Sequence, residues 1–447
     1  MNKRVAVISE HASPLAAAGG VDAGGQNIYV ANTVRELAAL GYELDVFTRR
    51  DSPDLPRIAA FAAGVRVIHV PAGPAHFVSK ERLLPFMDDF AARIIAIAAE
   101  ARNDGRPYDL VHAHFFMSAL VASKLKRALD IPFVVTFHAL GKVRLQYQDD
   151  DCFPAQRVAI EQAVIDDADA IIAECPQDEH DLVTLYDADE ARIAVVPCGY
   201  DPAEMQPVSR AEARRRIGLP EHGRVLLQLG RIVPRKGIDT VVRAVALLKS
   251  AHELRTTLVI VGGESDQPDV EKTPELARLI ALAKQEGVED CVVFAGRKAR
   301  HELKYYYSAA DFFLTTPWYE PFGITPLEAM ACGTPVIGSR VGGIKFSVVE
   351  GRTGFLVAPN DHRALARRLA HLYSDTAIRS FLGRQSQRRA KECFTWRKVT
   401  RSIADLYEDV LARRSGSFER AAQAIPIQHA GRPALAANAR SAPRGAA

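Results

Sequence analysis

Several features that mark large protein classes are missing from this chain. Its six cysteines, Cys152, Cys175, Cys198, Cys291, Cys332 and Cys393, stand singly with no Cys-x-x-Cys pair. That spacing excludes a disulfide framework and a zinc cluster of the usual kind, and it suits a reducing compartment. No apolar run reaches the length of a bilayer span, and the run behind the basic start, Val5 to Ile8, is too short for a secretory signal core. A cytoplasmic protein without a transmembrane segment is therefore expected. The net charge is only +3 over 447 residues, and much of the arginine lies in the last third. Solvated arginine-rich helices account for it, so nucleic acid is not expected as a partner.

What is present is an ordinary globular composition, 48% hydrophobic and 25% charged, on a chain long enough for two or three domains. Short β-branched runs, RVAVIS, ELDVFTR, VRVIHV, DLVHAH, PFVVTFH, AIIAE and RIAVVP, read as strands. Helical patterns such as Pro85 to Arg102, Ser118 to Leu129 and Gln156 to Asp167 lie between many of them. Continuous apolar strands separated by helices predict a parallel sheet covered on both faces. After a turn-rich stretch from Pro197 to Pro207 the alternation restarts with RVLLQLG, TTLVIVGG, CVVFAG, DFFLTT, PVIGS and GFLVAP. The expected fold is α/β, with two Rossmann-like doubly wound parallel-sheet domains, 1–200 and 201–394, facing across a cleft. A helix over 395–414 follows both, and 415–447, rich in Ala, Arg, Pro and Gly, is expected to be disordered.

Three segments carry chemistry. GGVDAGGQNIYV, Gly19 to Val30, is a glycine-rich turn between a strand and a helix. Free N–H groups and the helix dipole make such a place suited to phosphate, although the GxGxxG dinucleotide fingerprint is absent. LGRIVPRKGID, Leu229 to Asp239, holds the corresponding place in the second half. Its Arg231, Arg235 and Lys236 sit just before a helix, where the macrodipole disfavours cations, which implies an anion among them. PWYEPFGITPLEAMACGTPVI places Glu320 in a loop and Glu328 just inside a helix. Thr325 as N-cap, Pro326 at the first helical position and Glu328 as capping-box glutamate would explain Glu328 structurally, but not Glu320 or Gly323. His112 and His114 share one strand face, yet no third ligand is evident, so no metal is expected.

Four segments in order, DAGGQN, FHALGK, GRIVPRKG and EPFGITPLE, resemble the retaining nucleotide-sugar glycosyltransferases of family 4, which have the GT-B fold. The likeness runs from about residue 4 to 412. It implies a hexose donor of the UDP-glucose type, with Arg231 and Lys236 on its diphosphate and the backbone of Gly24 and Gly25 beside them. It also implies Glu328 on the ribose, Arg297 near the base, and Glu320 with the backbone of Phe322 and Gly323 on the sugar. His138 would face the transferring sugar. Fixed cations at the leaving diphosphate make a metal unnecessary, and no lysine motif compels pyridoxal phosphate, so no cofactor is expected. Retention would follow from front-face attack by the acceptor hydroxyl, within a cleft closing about a hinge near Gly199, the last helix crossing back to the first domain.

Within the family, the chain resembles sucrose-phosphate synthases and the mycothiol-pathway inositol-phosphate glycosyltransferases. Both use phosphorylated acceptors, which implies a sugar or cyclitol phosphate here, with Asn27, Lys80 and Arg157 as acceptor-binding residues. Phe115 stands where a tyrosine is expected and Ala139 where a threonine is expected. Arg157 also has a plainer reading, a helix-surface ion pair with Glu161 or Asp166. The alternative function on the same fold is a nucleotide-sugar epimerase or a non-catalytic sugar-nucleotide-binding protein.

Overall fold

The computed structural model describes residues 3–16, 24–147 and 152–416. Gly19 and Gly20 of the first loop, and the tail from 417 on, lie outside the described residues. The strands are β1 (Arg4–Ile8), β2 (Glu43–Arg49), β3 (Ile58–Ala62), β4 (Val65–Val70), β5 (Leu110–His114), β6 (Phe133–Thr136), β7 (Ala170–Ala173) and β8 (Ile193–Val195). A second set follows: β9 (Val225–Leu229), β10 (Thr257–Val261), β11 (Val292–Gly296), β12 (Phe312–Thr315), β13 (Val336–Ser339) and β14 (Gly354–Val357).

They form two sheets, ordered β3-β4-β2-β1-β5-β6-β7-β8 and β11-β10-β9-β12-β13-β14. Every neighbouring pair is parallel except β3 with β4. Helices cover both faces, so β1, β5, β6 and β9 are buried along their whole length and need apolar residues at every position. The antiparallel strand β3, IAAFA, was not foreseen: it is a partly exposed edge whose apolar run is mostly alanine and lacks the β-branched residues that mark the other strands.

In each sheet the chain winds outward from its first strand and then returns to that strand's other side. The order reverses between β1 and β5 in one sheet and between β9 and β12 in the other. Loops leaving the carboxyl ends of such strands diverge and leave a crevice, the usual place for a ligand in an open α/β sheet. The segments Gly24–Gly25, Arg231–Lys236 and Glu320–Gly323 follow β1, β9 and β12, so the topology alone brings them to these edges.

The chain crosses between the sheets twice, and the crossings are hydrogen-bonded to each other. Tyr200 N–H donates to the Phe394 carbonyl at 2.8 Å, and Trp396 N–H donates back to the Tyr200 carbonyl at 3.1 Å. The last helix, Trp396–Ser415, then packs on the first helix, Gly25–Ala39. Its Tyr407 hydroxyl lies 2.7 Å from His112 Nδ1, and its Glu408 accepts from Tyr42 at 2.8 Å. One buried apolar cluster accordingly runs from Val5 and Val7 through Cys198 and Tyr200 to Leu227 and Trp396.

Gly199 fixes this crossing by its size. A Cβ there would lie 2.8 Å from Trp396 Cδ2 and 2.9 Å from the Trp396 backbone nitrogen, so the two crossing segments could not approach as they do. Gly199→Ala is expected to destabilise the protein by about 1–3 kcal/mol through overpacking. An unchanged midpoint of thermal unfolding would show that the crossing yields more easily than this packing implies.

Candidate functional site

A cleft of about 540 Å³ separates the two sheet edges and takes lining residues from both. On the second-sheet side, the loops after β9 and β12 touch through backbone. Gly237 has φ +61°, and a Cβ on it would lie 2.1 Å from the Thr316 carbonyl oxygen, so only glycine permits the approach. Thr316 Oγ1 donates to the Gly237 carbonyl at 2.7 Å and locks the pair of loops.

This seats Lys236 against Glu320. The ammonium is ion-paired with Glu320 Oε2, and Arg235 Nη1 lies 3.8 Å from the same oxygen while donating to the Tyr319 carbonyl at 3.1 Å. The side chains of Lys236 and Glu320 are only 16% and 11% exposed, so water screens them little. Burial presses the Glu320 carboxyl pKa up, but the charges of Lys236, Arg235 and Arg231 outweigh it and hold the group below its ordinary range. Burial lowers the Lys236 pKa, more than Glu320 restores it. The anion implied by the basic loop is thus supplied within the chain itself. Two cations meet one carboxylate, and Arg231 lines the same cleft.

The helix Ile324–Ala331 begins differently from the capping-box expectation. Gly323, at φ +92°, is the N-cap, with no side-chain cap; Thr325 and Pro326 lie inside the first turn and Glu328 inside the second. The positive φ selects glycine for the turn, and Ser/Thr capping is bypassed. Glu328, 2% exposed, instead accepts from Arg300 Nη1 at 2.8 Å and from the Tyr307 hydroxyl at 2.7 Å. Arg300 is also paired with Glu204; burial opposes its charge, but the two carboxylates raise its pKa overall. Phe322 is buried beside the cleft, and Arg297 lines it with Nη2 at 3.2 Å from Asp266.

On the first-sheet side, Gly24 donates its N–H to Asn27 Oδ1 at 3.0 Å, and Asn27 Nδ2 donates to the Ser13 carbonyl at 3.0 Å. Asn27 therefore closes the turn, while still bordering the cleft. A Cβ on Gly24 would meet nothing within 4 Å, and one on Gly25 would touch Ile324 Cδ1 at 3.8 Å. Packing within the chain does not demand these glycines. They lay bare backbone at the cleft, across from the start of the Ile324–Ala331 helix.

His138 lies at the cleft with φ +59°. Its Nδ1 is 3.0 Å from Glu174 Oε1 and its Nε2 is 3.1 Å from His114 Nδ1. His112 spans Tyr407 and Thr136, at 2.7 and 2.9 Å. Burial drives the pKa of His112 down to about 3, and burial with the neighbouring histidines drives that of His114 well below the ordinary value, so both are neutral. They are structural links in a buried chain, and no trio of metal-ligating side chains occurs among the described residues.

The two basic residues expected at the acceptor part company. Lys80 lines the cleft, 3.4 Å from Glu81. Arg157 is neither a surface residue nor one of the cleft-lining residues: it is 1% exposed, bonded to Glu161 at 2.8 Å and to the Ala139 carbonyl at 2.7 Å. The surface ion-pair reading fails because Phe115, Phe116 and Phe153 enclose the guanidinium. Sequence reasoning missed Arg300, Tyr307 and Glu174. The signal for Glu174 was a carboxylate closing the apolar run AIIAE at a strand's carboxyl end.

Known families divide the chain where the cleft does. Residues 24–199 match the model of the glycosyl transferase 4-like domain, and residues 209–389 match that of glycosyl transferases group 1. With the paired sheets, these matches define a GT-B glycosyltransferase. The D-inositol 3-phosphate glycosyltransferase of Acidothermus cellulolyticus is 38% identical over 429 residues, 95% of this chain and 94% of that protein. The protein of the same name from Actinosynnema mirum is 39% identical over 410 residues, 91% of this chain and 97% of that one. The solved sucrose-phosphate synthase of Thermosynechococcus elongatus superposes with a TM-score of 0.83 at 33% identity, covering 92% of this chain and all of that one. The chain belongs to family 4 of the glycosyltransferases.

Proposed function

We propose that this enzyme moves a hexose from a nucleoside-diphosphate sugar, UDP-glucose or a related UDP-sugar, to a hydroxyl of a sugar or cyclitol phosphate, with retention at the anomeric carbon. The observation that carries the donor half is the pairing of Lys236 and Arg235 with Glu320, with Arg231 lining the same cleft, opposite the bare backbone of Gly24 and Gly25. A diphosphate entering there takes over Lys236 and Arg231, which frees Glu320 to accept hydrogen bonds from sugar hydroxyls. Phe322 and Gly323 offer backbone groups beside it, Glu328 accepts from the ribose, and Arg297 borders the base. As the anomeric bond breaks, negative charge grows on the leaving phosphate, and cations already fixed in place stabilise it without reorganising. His138 shapes the wall beside the sugar, and the acceptor hydroxyl attacks from the face that the phosphate leaves.

The acceptor half rests on relatives named for D-inositol 3-phosphate and sucrose phosphate and on Lys80 at the cleft. The test is release of nucleoside diphosphate from UDP-glucose with inositol, inositol phosphate, fructose or fructose 6-phosphate, with the product's anomeric coupling read by NMR. Release only with a phosphorylated acceptor, and an axial product from an axial donor, is expected. Equal activity on the neutral partners overturns the phosphate acceptor. Isomerised or freed sugar without any acceptor points to the epimerase instead.

A further inference from the structure

Two residues bordering the cleft hold backbone conformations that side chains other than glycine rarely adopt. Phe115, following β5, has φ +81°, and His138, following β6, has φ +59°. Such residues are strained and persist only where their surroundings over-determine them. A single buried polar cluster touches both corners. The Arg157 guanidinium lies 5.2 Å from the centre of the Phe115 ring, and its Nη2 donates to the carbonyl of Ala139, next to His138. Glu161 pairs with Arg157 Nε and accepts the Gly141 N–H at 2.9 Å through its other oxygen. Tyr186 donates to Glu161 and accepts the Lys142 N–H at 2.9 Å. The fit is close: a Cβ on Gly141 would lie 2.8 Å from Glu161 Oε2.

We infer that Arg157, Glu161 and Tyr186 are positioning residues that clamp the segment from His138 to Lys142, and so set the wall against which the transferring sugar rests. The inference rests on the transfer reaction proposed above, and it assigns Arg157 a role other than holding an acceptor phosphate. A buried ion pair is a poor source of stability, and the role assigned to this one is to hold a single geometry. Because Arg157 supports Ala139 and Phe115 together, it couples the loops after two adjacent strands.

The experiment uses the whole enzyme with Tyr186→Phe and Arg157→Lys, each compared with inositol and inositol phosphate as acceptors. Tyr186→Phe keeps the volume and removes the hydroxyl that links Lys142 to Glu161. Arg157→Lys keeps the charge but cannot reach Glu161 and Ala139 in a fixed fork. Both variants are expected to lose about tenfold in kcat with KM for phosphorylated acceptor little changed, since displaced groups cost rate more than affinity. Unchanged kcat in Tyr186→Phe overturns the clamp. A rise in KM confined to the phosphorylated acceptor in Arg157→Lys overturns it too, in favour of a phosphate ligand. A readout independent of activity is the ring resonances of His138 in histidine-labelled protein. These should shift in Tyr186→Phe even if no acceptor of the proposed class is used, and fixed resonances would overturn the clamp while leaving the reaction class untouched.

Discussion

Lys236→Ala is expected to lower turnover about a hundredfold, on the order of 3 kcal/mol of lost transition-state stabilisation. Lys236 stands on the short turn Pro234–Lys236, outside the strands themselves, and Arg235 still faces Glu320, so the fold should survive. Its loss has a second effect on the same site. Glu320 would keep Arg235 and Arg231 but lose its nearest cation, and burial would then press its carboxyl pKa upward from its present depressed position. Activity that needs the carboxylate is lost as pH falls through this pKa, so the acid limb of the pH–rate profile should move to higher pH in the variant. Arg231→Ala, Lys236→Ala together should cost less than the product of the single losses, because both act on one group of atoms. Near-normal turnover in that double variant would remove the diphosphate assignment. Steady-state rates between about pH 5 and 8 with calorimetric binding of UDP decide both points.

Glu328 offers the other large effect, and it separates stability from binding. Glu328→Ala strands Arg300 beside one remaining carboxylate, Glu204, and leaves the Tyr307 hydroxyl without its acceptor. Breaking a buried charge pair from one side costs about 3–5 kcal/mol, so the unfolding midpoint should fall by many degrees. Glu328→Gln preserves a carbonyl acceptor and the shape of the site. It removes the charge facing Arg300, so it should unfold below the parent but above Glu328→Ala, and it should bind UDP about tenfold more weakly, because a charged acceptor to the ribose hydroxyls has become neutral. If Glu328→Gln binds UDP like the parent, the residue serves Arg300 and Tyr307 alone and the ribose role falls.

The sheets were legible because a strand buried on both faces must be apolar at every position, as RVAVI and VLLQL are. β3 was not, since this partly exposed edge, three of its five residues alanine, carries only Ile58 as a β-branched signal. Of the site, the basic loop and Glu320 could each be read as charges in the wrong place, against a helix start and in a turn. That they satisfy one another could not, because they lie 84 residues apart and meet only when Gly237 lets two loops touch. Glu328 misled for the opposite reason. T-P-L-E reproduces a capping signature locally, whereas its real partners, Arg300 and Tyr307, come from another strand's loop and the helix after it. Arg157 shows the same limit: its i, i+4 carboxylate was visible, and the three phenylalanines that bury the pair were not.

The helix Trp396–Ser415 carries a consequence for how the enzyme is made. Its Trp396 packs edge-on against Tyr29 at 5.5 Å, and its Tyr407 reaches His112 in the middle of the first sheet. The half of the chain that leaves the ribosome first therefore lacks one wall until residue 415 has emerged. Until then the surfaces of Tyr29 and Tyr42 that this helix covers have no partner within the nascent half. The same dependence forbids a simple division of the enzyme at the crossover: a fragment ending near residue 200 becomes whole only when the distant helix is given back to it, as a fused segment or as a second chain.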